Sequence, residues 1–294
     1  MFEGFAELQV KTDGATIFAR VGGDGPPLLL LHGYPQTHAM WHKVAPALAE
    51  RFTVVATDLR GYGDSSKPPS DPRHETYCKR ETARDQLAVM AHLGFSRFQV
   101  AGHDRGGRVA HRLALDHPDA VERLAVLDII PTHKLFGTVN QAVATGYYHW
   151  FFLIQPNGLP EHLIGHDPEF YLRTKMGAWS GEGFAFDKAA YAEYLRCFSD
   201  PATIHASCED YRAAASIDLA HDEADMDRKL TCPLLVLWGQ RGLMEKAYDV
   251  LATWRERALD VRGTALPCGH YLPEEAPDGT ARELLAFFTG DGAD

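Results

Sequence analysis

The chain has 294 residues, of which 45% are hydrophobic and 23% are charged, and its formal net charge at pH 7 is −11. These values are typical of a globular protein with one large α/β domain and room for a smaller inserted one. Because no basic cluster offsets the negative charge, we expect neither a nucleic-acid partner nor a membrane partner. No run approaches the roughly 20 apolar residues of a transmembrane helix.

The cysteines and the first residues of the chain indicate in which cellular compartment the protein is expected. Five cysteines are scattered along the chain without CxxC spacing, which favours free thiols over a disulfide framework. Residues 1–7 contain two glutamates and lack the basic-then-apolar layout of a secretion signal. The sequence therefore predicts a cytoplasmic location.

Strand-like and helix-like runs alternate along the chain, which is typical of a mostly parallel sheet with helices on both faces. The predicted strands are 27–31, 53–57, 98–101, 124–130 and 234–238. The predicted helices are 76–93, 107–115 and 280–288. Residues 132–215 break this alternation, and we interpret this aromatic-rich and histidine-rich segment as a helical cap over the C-terminal edge of the sheet, where ligands bind. The predicted core then comprises residues 1–131 and 216–294.

The most informative segment is residues 101–108, which read Ala-Gly-His-Asp-Arg-Gly-Gly-Arg. The segment joins a predicted strand to a predicted helix, and Gly102 and Gly106 suit the sharp, strained turn of a nucleophile elbow. Most such elbows carry serine, whereas this one carries Asp104. A carboxylate is a poor acylating nucleophile, but it can displace a leaving group at saturated carbon and form an alkyl ester. Asp104 is therefore the predicted nucleophile, and acyl-ester hydrolysis is disfavoured.

An elbow nucleophile of this kind needs a base and an acid that orients the base. The base is expected late in the chain, after the last strand, and His270 fits because Gly269 lets it approach the cleft. No carboxylate directly follows the strand at 234–238, whereas Asp128 lies in an apolar run where a buried charge demands a partner. We predict that Asp128 orients His270; the alternative is that Asp128 caps a loop.

Two arginines next to Asp104 predict an anion site. Arg105 follows the nucleophile, and Arg108 lies one helical turn further on the same face, so both guanidinium groups are suited to a carboxylate. The alternative for Arg108 is an ion pair with a surface acid. The backbone N–H groups of Tyr34 and Arg105 are predicted to form the oxyanion hole.

Other motifs are weaker. Gly61 and Gly63 follow a strand but lack the third glycine and the helix of a dinucleotide site. His38 and His42 have i,i+4 spacing without a third ligand, which favours a solvated helix face. We expect a structural role for His103. The sequence thus predicts no metal and no cofactor.

The chain resembles the haloacetate (fluoroacetate) dehalogenases of the α/β-hydrolase superfamily along nearly its whole length. The resemblance rests on seven segments, which read His-Gly-Tyr-Pro-Gln-Thr-His at 32–38, Asp-Leu-Arg-Gly-Tyr-Gly at 58–63, Gly-His-Asp-Arg-Gly-Gly-Arg at 102–108, Leu-Asp-Ile-Ile-Pro-Thr at 127–132, Tyr-His-Trp at 148–150, Cys-Glu-Asp-Tyr-Arg at 208–212 and Gly-His at 269–270. Arginine at position 105 is the most specific mark, since haloalkane dehalogenases and epoxide hydrolases typically carry tryptophan there.

The resemblance implies an α/β-hydrolase fold with an eight-stranded, mostly parallel sheet and an inserted helical cap. It implies that Asp104 displaces halide from a haloacetate and that His270, supported by Asp128, activates water against the resulting ester. Arg105 and Arg108 would hold the substrate carboxylate. The halide would be bound by three cap residues that can all donate hydrogen bonds, His149, Trp150 and Tyr211. A homodimer is a further expectation.

Three alternatives remain open. An epoxide hydrolase would share the aspartate and the histidine and would use two cap tyrosines from the set Tyr147, Tyr148, Tyr191 and Tyr211. A dehalogenase of other short 2-haloacids would keep the mechanism without cleaving C–F bonds. A non-catalytic ligand-binding relative is disfavoured, because such proteins normally lose the nucleophile or the base.

Overall fold

The computed structural model describes residues 1–290. These residues form an eight-stranded sheet with the strand order β1-β2-β4-β3-β5-β6-β7-β8. The strands are β1 (Ala6–Lys11), β2 (Thr16–Gly22), β3 (Pro27–Leu31), β4 (Thr53–Thr57), β5 (Phe98–His103), β6 (Val121–Leu127), β7 (Leu234–Gly239) and β8 (Val261–Leu266). β2 pairs antiparallel with both of its neighbours, β1 and β4. All the other pairs of neighbouring strands are parallel. The predicted α/β-hydrolase architecture is confirmed.

The helices follow the strands in chain order. Before β6 they are α1 (Ala45–Ala49), α2 (Lys79–His92) and α3 (Arg105–Asp116), with 3-10 turns at His38–Trp41 and Glu75–Tyr77. Between β6 and β7 they are α4 (Thr132–Gly137), α5 (Gln141–Gly146), α6 (Tyr148–Phe152), α7 (Leu159–His166), α8 (Pro168–Trp179), α9 (Lys188–Phe198), α10 (Pro201–Ala214) and α11 (Ile217–Ala224). After β7 they are α12 (Leu243–Ala247), α13 (Val250–Arg255), α14 (Leu272–Glu275) and α15 (Pro277–Thr289).

The predicted cap, 132–215, falls on this helical stretch between β6 and β7. The division into a cap and a core of 1–131 and 216–294 remains a prediction, and its last residues, 291–294, lie outside the described part of the chain. Within residues 1–290, no helix is both long and apolar enough to cross a membrane.

Apolar runs place the central strands inside the molecule, because strands covered by helices on both faces must be apolar on both sides. In β3, Leu28 to Leu31 are fully buried, and every residue of β5 is buried. The register aligns the carboxyl ends of the strands: Leu31 lies beside Gly102, His103 beside Leu127, and Leu127 beside Leu237. Residues that directly follow these strands therefore meet at one edge of the sheet.

The sequence prediction differs from the structure at three places. The strand predicted for 124–130 ends at Leu127, because Asp128 has a positive φ of 53° that turns the chain out of the sheet. The strands β1, β2 and β8 were not predicted. The prediction of a solvated helix face at His38 was wrong, since His38 is buried and its Nδ1 lies 2.9 Å from Oδ1 of Asp58.

Candidate active site

Asp104 sits on the turn between β5 and α3, in a conformation that L-residues rarely adopt. Its φ is 43° and its ψ is −113°. A Cβ on Gly102 would lie 2.4 Å from the carbonyl oxygen of Gly106, and a Cβ on Gly106 would lie 2.4 Å from that of His32. Only glycine fits at these two positions, which is the requirement of a nucleophile elbow. The strained turn projects the Asp104 side chain from the edge of the sheet.

The structure brings Asp128 and His270 together. Oδ2 of Asp128 lies 2.6 Å from Nδ1 of His270, and its Oδ1 accepts a 2.9 Å hydrogen bond from the backbone N–H of Gly239. Both side chains are buried. The carboxylate therefore favours the proton on Nδ1 of His270 and leaves Nε2 as the basic nitrogen. Nε2 is buried and has no hydrogen-bond partner within residues 1–290.

Two further contacts hold the loop that carries His270. The backbone N–H of His270 donates to the carbonyl oxygen of Trp179 at 2.9 Å. Nε2 of His103 lies 2.8 Å from the His270 carbonyl oxygen, and burial lowers the pKa of His103 to about 3. A neutral His103 can donate this bond, in agreement with the structural role expected for it.

Electrostatics keep Asp104 ionised and His270 basic. Burial alone would raise the pKa of Asp104, but the charges of His270 and Arg108 outweigh it and hold that pKa below its usual value. Burial would lower the pKa of His270, but the hydrogen bond and the charge of Asp128, with the charge of Asp104, raise it above its usual value. The predicted nucleophile is thus an ionised carboxylate, and the predicted base is an imidazole that accepts a proton readily.

One of the two predicted oxyanion donors contacts Asp104 directly. The backbone N–H of Tyr34 donates to Oδ2 of Asp104 at 3.2 Å. Arg105 is the first residue of α3, where backbone N–H groups have no partner within the helix. Charge on an Asp104 oxygen would therefore be stabilised by Tyr34 N–H and by the start of α3.

Arg105 is held by a carboxylate that the sequence analysis did not predict. Its Nε donates to Oδ2 of Asp210 at 2.7 Å, and its Nη2 donates to Oδ1 at 2.9 Å and to the Asp210 carbonyl oxygen at 2.8 Å. Lys79 forms an ion pair with the same carboxylate. Although burial opposes it, these two cations hold the pKa of Asp210 well below its usual value. Asp210 leaves one nitrogen of Arg105, Nη1, buried and unpartnered in the described residues.

Arg108 has no carboxylate ion-pair partner among residues 1–290. Its Nη1 donates to the carbonyl oxygen of Ile130 at 2.9 Å and to Oγ1 of Thr132 at 3.0 Å. Its Nε and Nη2 are buried without a hydrogen-bond partner, and the side chain is 3% exposed. The alternative of an ion pair with a surface acid therefore does not apply. A buried guanidinium with two free donor nitrogens is suited to a bidentate anion.

Helices α6 and α10, which fall within the predicted cap, place the three predicted halide ligands next to the arginines. His149 and Trp150 lie on α6 and Tyr211 lies on α10, with ring centroids 5.3 Å apart for His149–Tyr211 and 5.5 Å for Trp150–Tyr211. The Arg105 guanidinium lies 4.1 Å from the ring centre of Tyr211, and that of Arg108 lies 4.5 Å from that of Trp150. Nε2 of His149, Nε1 of Trp150 and the Tyr211 hydroxyl are all buried without a partner in the described chain.

A cavity of about 260 Å³ opens onto the site. It reaches Asp128 and His270 on the core side and is walled by cap residues, including Tyr147, Lys175 and Trp179. The cavity is large enough for a molecule of a few heavy atoms, so a small substrate can approach His270 from this side.

Asp210 and Lys175 are the residues near the site that the sequence analysis missed. Asp210 stands directly before Tyr211 in a segment that carried the resemblance, so that segment contained the signal. Lys175 is a lone lysine in a helix, and nothing in its sequence neighbourhood marks it.

Away from this site, three potential metal ligands come together. Ligand atoms of Cys78, Asp218 and His221 lie within 4.8 Å of one another. Nζ of Lys79 lies 3.4 Å from Oδ2 of Asp218, and this positive charge opposes a cation there. The expectation that the protein needs no metal and no cofactor remains a prediction.

Comparison with known proteins agrees with this description. The family model for the alpha/beta hydrolase fold matches residues 26–277. The chain is 48% identical to a fluoroacetate dehalogenase from Burkholderia sp over 98% of this chain and 95% of that protein. It is 37% identical to a soluble epoxide hydrolase from Corynebacterium sp. (strain C12) over 95% of this chain and 96% of that protein. ALR0039 from Nostoc sp PCC 7120 is 62% identical in sequence, and the match covers 98% of this chain and 99% of the ALR0039 chain. The crystal structure of ALR0039 superposes on this structure with a TM-score of 0.97.

The chain belongs to the alpha/beta hydrolase family. Its strand order, its elbow at Asp104 and its match to the family model agree on this class. Within the family, the resemblance to haloacetate dehalogenases that the motifs predict is confirmed by the identity to the Burkholderia protein.

Proposed function

We propose that this protein is a hydrolytic dehalogenase that converts a haloacetate into glycolate and halide. The observation that carries the proposal is the set of buried donors beside Asp104 that lack partners within residues 1–290: Nη1 of Arg105, Nε and Nη2 of Arg108, Nε2 of His149, Nε1 of Trp150 and the hydroxyl of Tyr211. Each unpartnered buried polar group costs about 1–3 kcal/mol. A substrate with a carboxylate at one end and a halogen at the other would satisfy both groups of donors.

The first half-reaction is a displacement at carbon. An oxygen of Asp104 attacks the carbon that bears the halogen, the C–halogen bond breaks, and the halide leaves with the electron pair. Arg105 and Arg108 hold the substrate carboxylate, which orients the carbon toward the nucleophile. His149, Trp150 and Tyr211 donate to the departing halide and stabilise its developing charge. The product of this step is a carboxymethyl ester of Asp104, that is, the ester of its carboxyl group with the hydroxyl of glycolate.

The second half-reaction is ester hydrolysis. Nε2 of His270 takes a proton from water while the water oxygen attacks the carboxyl carbon of Asp104. The N–H groups of Tyr34 and Arg105 stabilise the tetrahedral oxyanion. The bond between the Asp104 carboxyl carbon and the glycolate oxygen then breaks, and glycolate takes the proton from His270. The second proton of the water is released to solvent, so Asp104 regains its carboxylate with one oxygen from water. Asp128 stabilises His270 while the imidazole is positively charged.

Epoxide hydrolysis is the second candidate, because the soluble epoxide hydrolase from Corynebacterium sp. is 37% identical over 95% of this chain. The unpartnered hydroxyl of Tyr211 could protonate an alkoxide. Of the other tyrosines considered, Tyr147 is buried near the site, whereas Tyr148 is 46% exposed. A neutral epoxide would leave the buried Arg108 guanidinium without an anionic partner other than Asp104, which favours the haloacid.

The test is halide release from the purified protein with fluoroacetate, chloroacetate and bromoacetate, and with styrene oxide as the uncharged control. We expect halide from the acids and no diol from the oxide. Release of chloride and bromide without fluoride would restrict the proposal to short 2-haloacids with C–Cl or C–Br bonds. Diol without any halide would overturn it in favour of the epoxide hydrolase. The cytoplasmic location and a homodimer are further parts of this proposal, which activity assays do not address.

A further inference from the structure

Lys175 is buried against the proposed halide site without a carboxylate partner. It lies on α8, its residue is 2% exposed, and its Nζ is 2.9 Å from Nδ1 of His149. Nζ also lies 3.7 Å from the ring centre of Trp179 and 4.5 Å from that of Tyr148. No carboxylate oxygen of residues 1–290 forms an ion pair with it. The mechanism above assigns this lysine no role.

We propose that Lys175 is a positioning residue that fixes the tautomer of His149, so that the His149 Nε2–H group is directed at the halide, and that it thereby determines how well the enzyme expels fluoride. The proposal rests on the proposed function for its kinetic part. Its structural part, the tautomer of His149, is independent of any activity.

The hydrogen-bonding capacity of the two groups supports this assignment. When Lys175 is protonated, its ammonium group has three N–H donors and no acceptor, so Nδ1 of His149 is the acceptor in the contact with it. A neutral imidazole carries one proton, which then resides on Nε2. Burial, together with the positive charge of Lys175, lowers the pKa of His149 well below its usual value, so the ring is neutral. Nε2 is the nitrogen that has no partner in the described structure.

The surroundings of Lys175 bear on its charge. Burial lowers the pKa of Lys175 to about 6, whereas the carboxylate of Asp104 acts in the opposite direction. Without a bound halide the ammonium form therefore predominates only below about pH 6. The ring faces of Trp179 and Tyr148 also favour the ammonium form through cation–π attraction. A halide ion bound at Nε2 of His149 would add a negative charge nearby and favour this form further.

The effect of Lys175 should depend on the halide. Fluoride concentrates its charge in the smallest volume and depends most on strong hydrogen-bond donors, whereas bromide departs with less assistance. A charge behind His149 polarises its Nε2–H group, because linked hydrogen bonds strengthen one another. Without Lys175, His149 can place its proton on Nδ1 and offer the halide a lone pair, which repels it.

The experiment compares three variants with the wild-type protein. Lys175→Met removes the donor and keeps most of the volume, Lys175→Arg keeps a donor, and Arg173→Met removes one positive charge from an exposed position of the same helix. Nitrogen-15 NMR of labelled histidines at about pH 5, where Lys175 is protonated, reports which ring nitrogen carries the proton, with His149 assigned from a His149→Asn sample. Initial rates with fluoroacetate and bromoacetate report how the tautomer of His149 affects the release of each halide.

We expect His149 to be protonated at Nε2 in the wild type, in Lys175→Arg and in Arg173→Met, and to gain the Nδ1-protonated form in Lys175→Met. We expect kcat with fluoroacetate to fall roughly 10- to 100-fold in Lys175→Met, because one hydrogen-bond donor to the transition state is lost. We expect kcat with bromoacetate to change by less than about 3-fold. KM should change little.

Two results would overturn the proposal. One is an Nδ1-protonated His149 in the wild type at about pH 5, which is decisive even if Lys175→Met does not fold. The other is an equal loss of rate with both substrates in a folded Lys175→Met protein. If the wild type releases no halide at all, the proposed function fails, and the NMR spectra alone decide whether Lys175 sets the tautomer.

Discussion

The core side and the cap side of the site differ in how their polar groups are satisfied. On the core side, Asp128 receives hydrogen bonds from His270 and Gly239, and Asp104 receives one from Tyr34 N–H. On the cap side, the donor atoms of His149, Trp150 and Tyr211 have no partner within residues 1–290. Both carboxylates of the core side thus have hydrogen-bond donors without a ligand, and Nε2 of His270 is left free for water, whereas the three donors of the cap side have no acceptor within residues 1–290.

This difference separates two tasks. Backbone turns at the ends of β5 and β6 hold Asp104 and Asp128 in place, which is the preorganisation that the proposed covalent catalysis needs. The cap and the arginines provide donors whose desolvation is offset only when an anion is bound. Changes on the core side should therefore abolish chemistry, and changes on the cap side should alter which substrate is used.

The largest expected effect is on the core side. Asp104→Asn removes the negative charge of the nucleophile and should lower halide release by at least about 10³-fold, because no covalent step remains. Halide electrodes or ion chromatography measure the rate. Asp119→Asn, at an exposed position, is the matched control and should be unaffected. Residual activity above one part in a hundred, without deamidation of the asparagine, would rule out Asp104 as the nucleophile.

Arg108→Lys tests the proposed binding of the substrate carboxylate by Arg108. Lysine keeps the charge but cannot bond Ile130 and Thr132 while also presenting two N–H donors to the substrate. We expect KM for chloroacetate to rise roughly 10- to 100-fold, with a smaller change in kcat, since uniform binding is lost. Arg97→Lys at the surface is the control. An unchanged KM would mean that the carboxylate does not bind at Arg108.

Tyr211→Phe tests the cap side. The change removes one hydroxyl donor and keeps the ring that packs on Arg105. We expect kcat with fluoroacetate to fall about 10-fold and kcat with bromoacetate to fall by less than about 3-fold. Tyr191→Phe removes another buried, unpartnered hydroxyl and should leave this ratio unchanged. Equal losses with both substrates would contradict a halide role for Tyr211.

The smallest expected effect concerns the contact between α9 and α14. Glu274 is buried, it accepts hydrogen bonds from Gln36 and Tyr194, and its Oε2 has no partner among the described residues. Burial raises the pKa of Glu274 to about 7. Its folded pKa lies above its unfolded pKa, so stability is lost as the pH rises through about 7.

Glu274→Gln stays neutral and should raise Tm by about 2–4 °C at pH 8.5, with no gain at pH 5. Thermal unfolding followed by circular dichroism at the two pH values measures this. A gain that is equal at both pH values would show that ionisation of Glu274 is not its cause.

The sequence predicted the parts of the fold and site that depend on local pattern. The buried strands β3 and β5 are continuous apolar runs, and the elbow at Asp104 is marked by its two essential glycines. Asp128 was predicted next to His270 because a charge in an apolar run needs a partner, and the structure places the two 2.6 Å apart.

The parts that the sequence did not predict depend on packing between distant segments. β1 and β2 are partly exposed, without the apolar runs of the central strands. Asp210 and Arg105 form their ion pair across 105 residues of sequence, and Lys175 meets His149 across 26. No periodicity in the chain specifies these contacts, and the resemblance alone did not assign them.

The central claim is that an ester on Asp104 is the intermediate and that His270 is needed only for its hydrolysis. His270→Ala, incubated with chloroacetate, should release one chloride per active site and then stop. Mass spectrometry of a protease digest should then place one carboxymethyl group on the peptide that carries Asp104. Steady turnover by His270→Ala at a rate near that of the wild type, or a carboxymethyl group on another residue, would contradict the account.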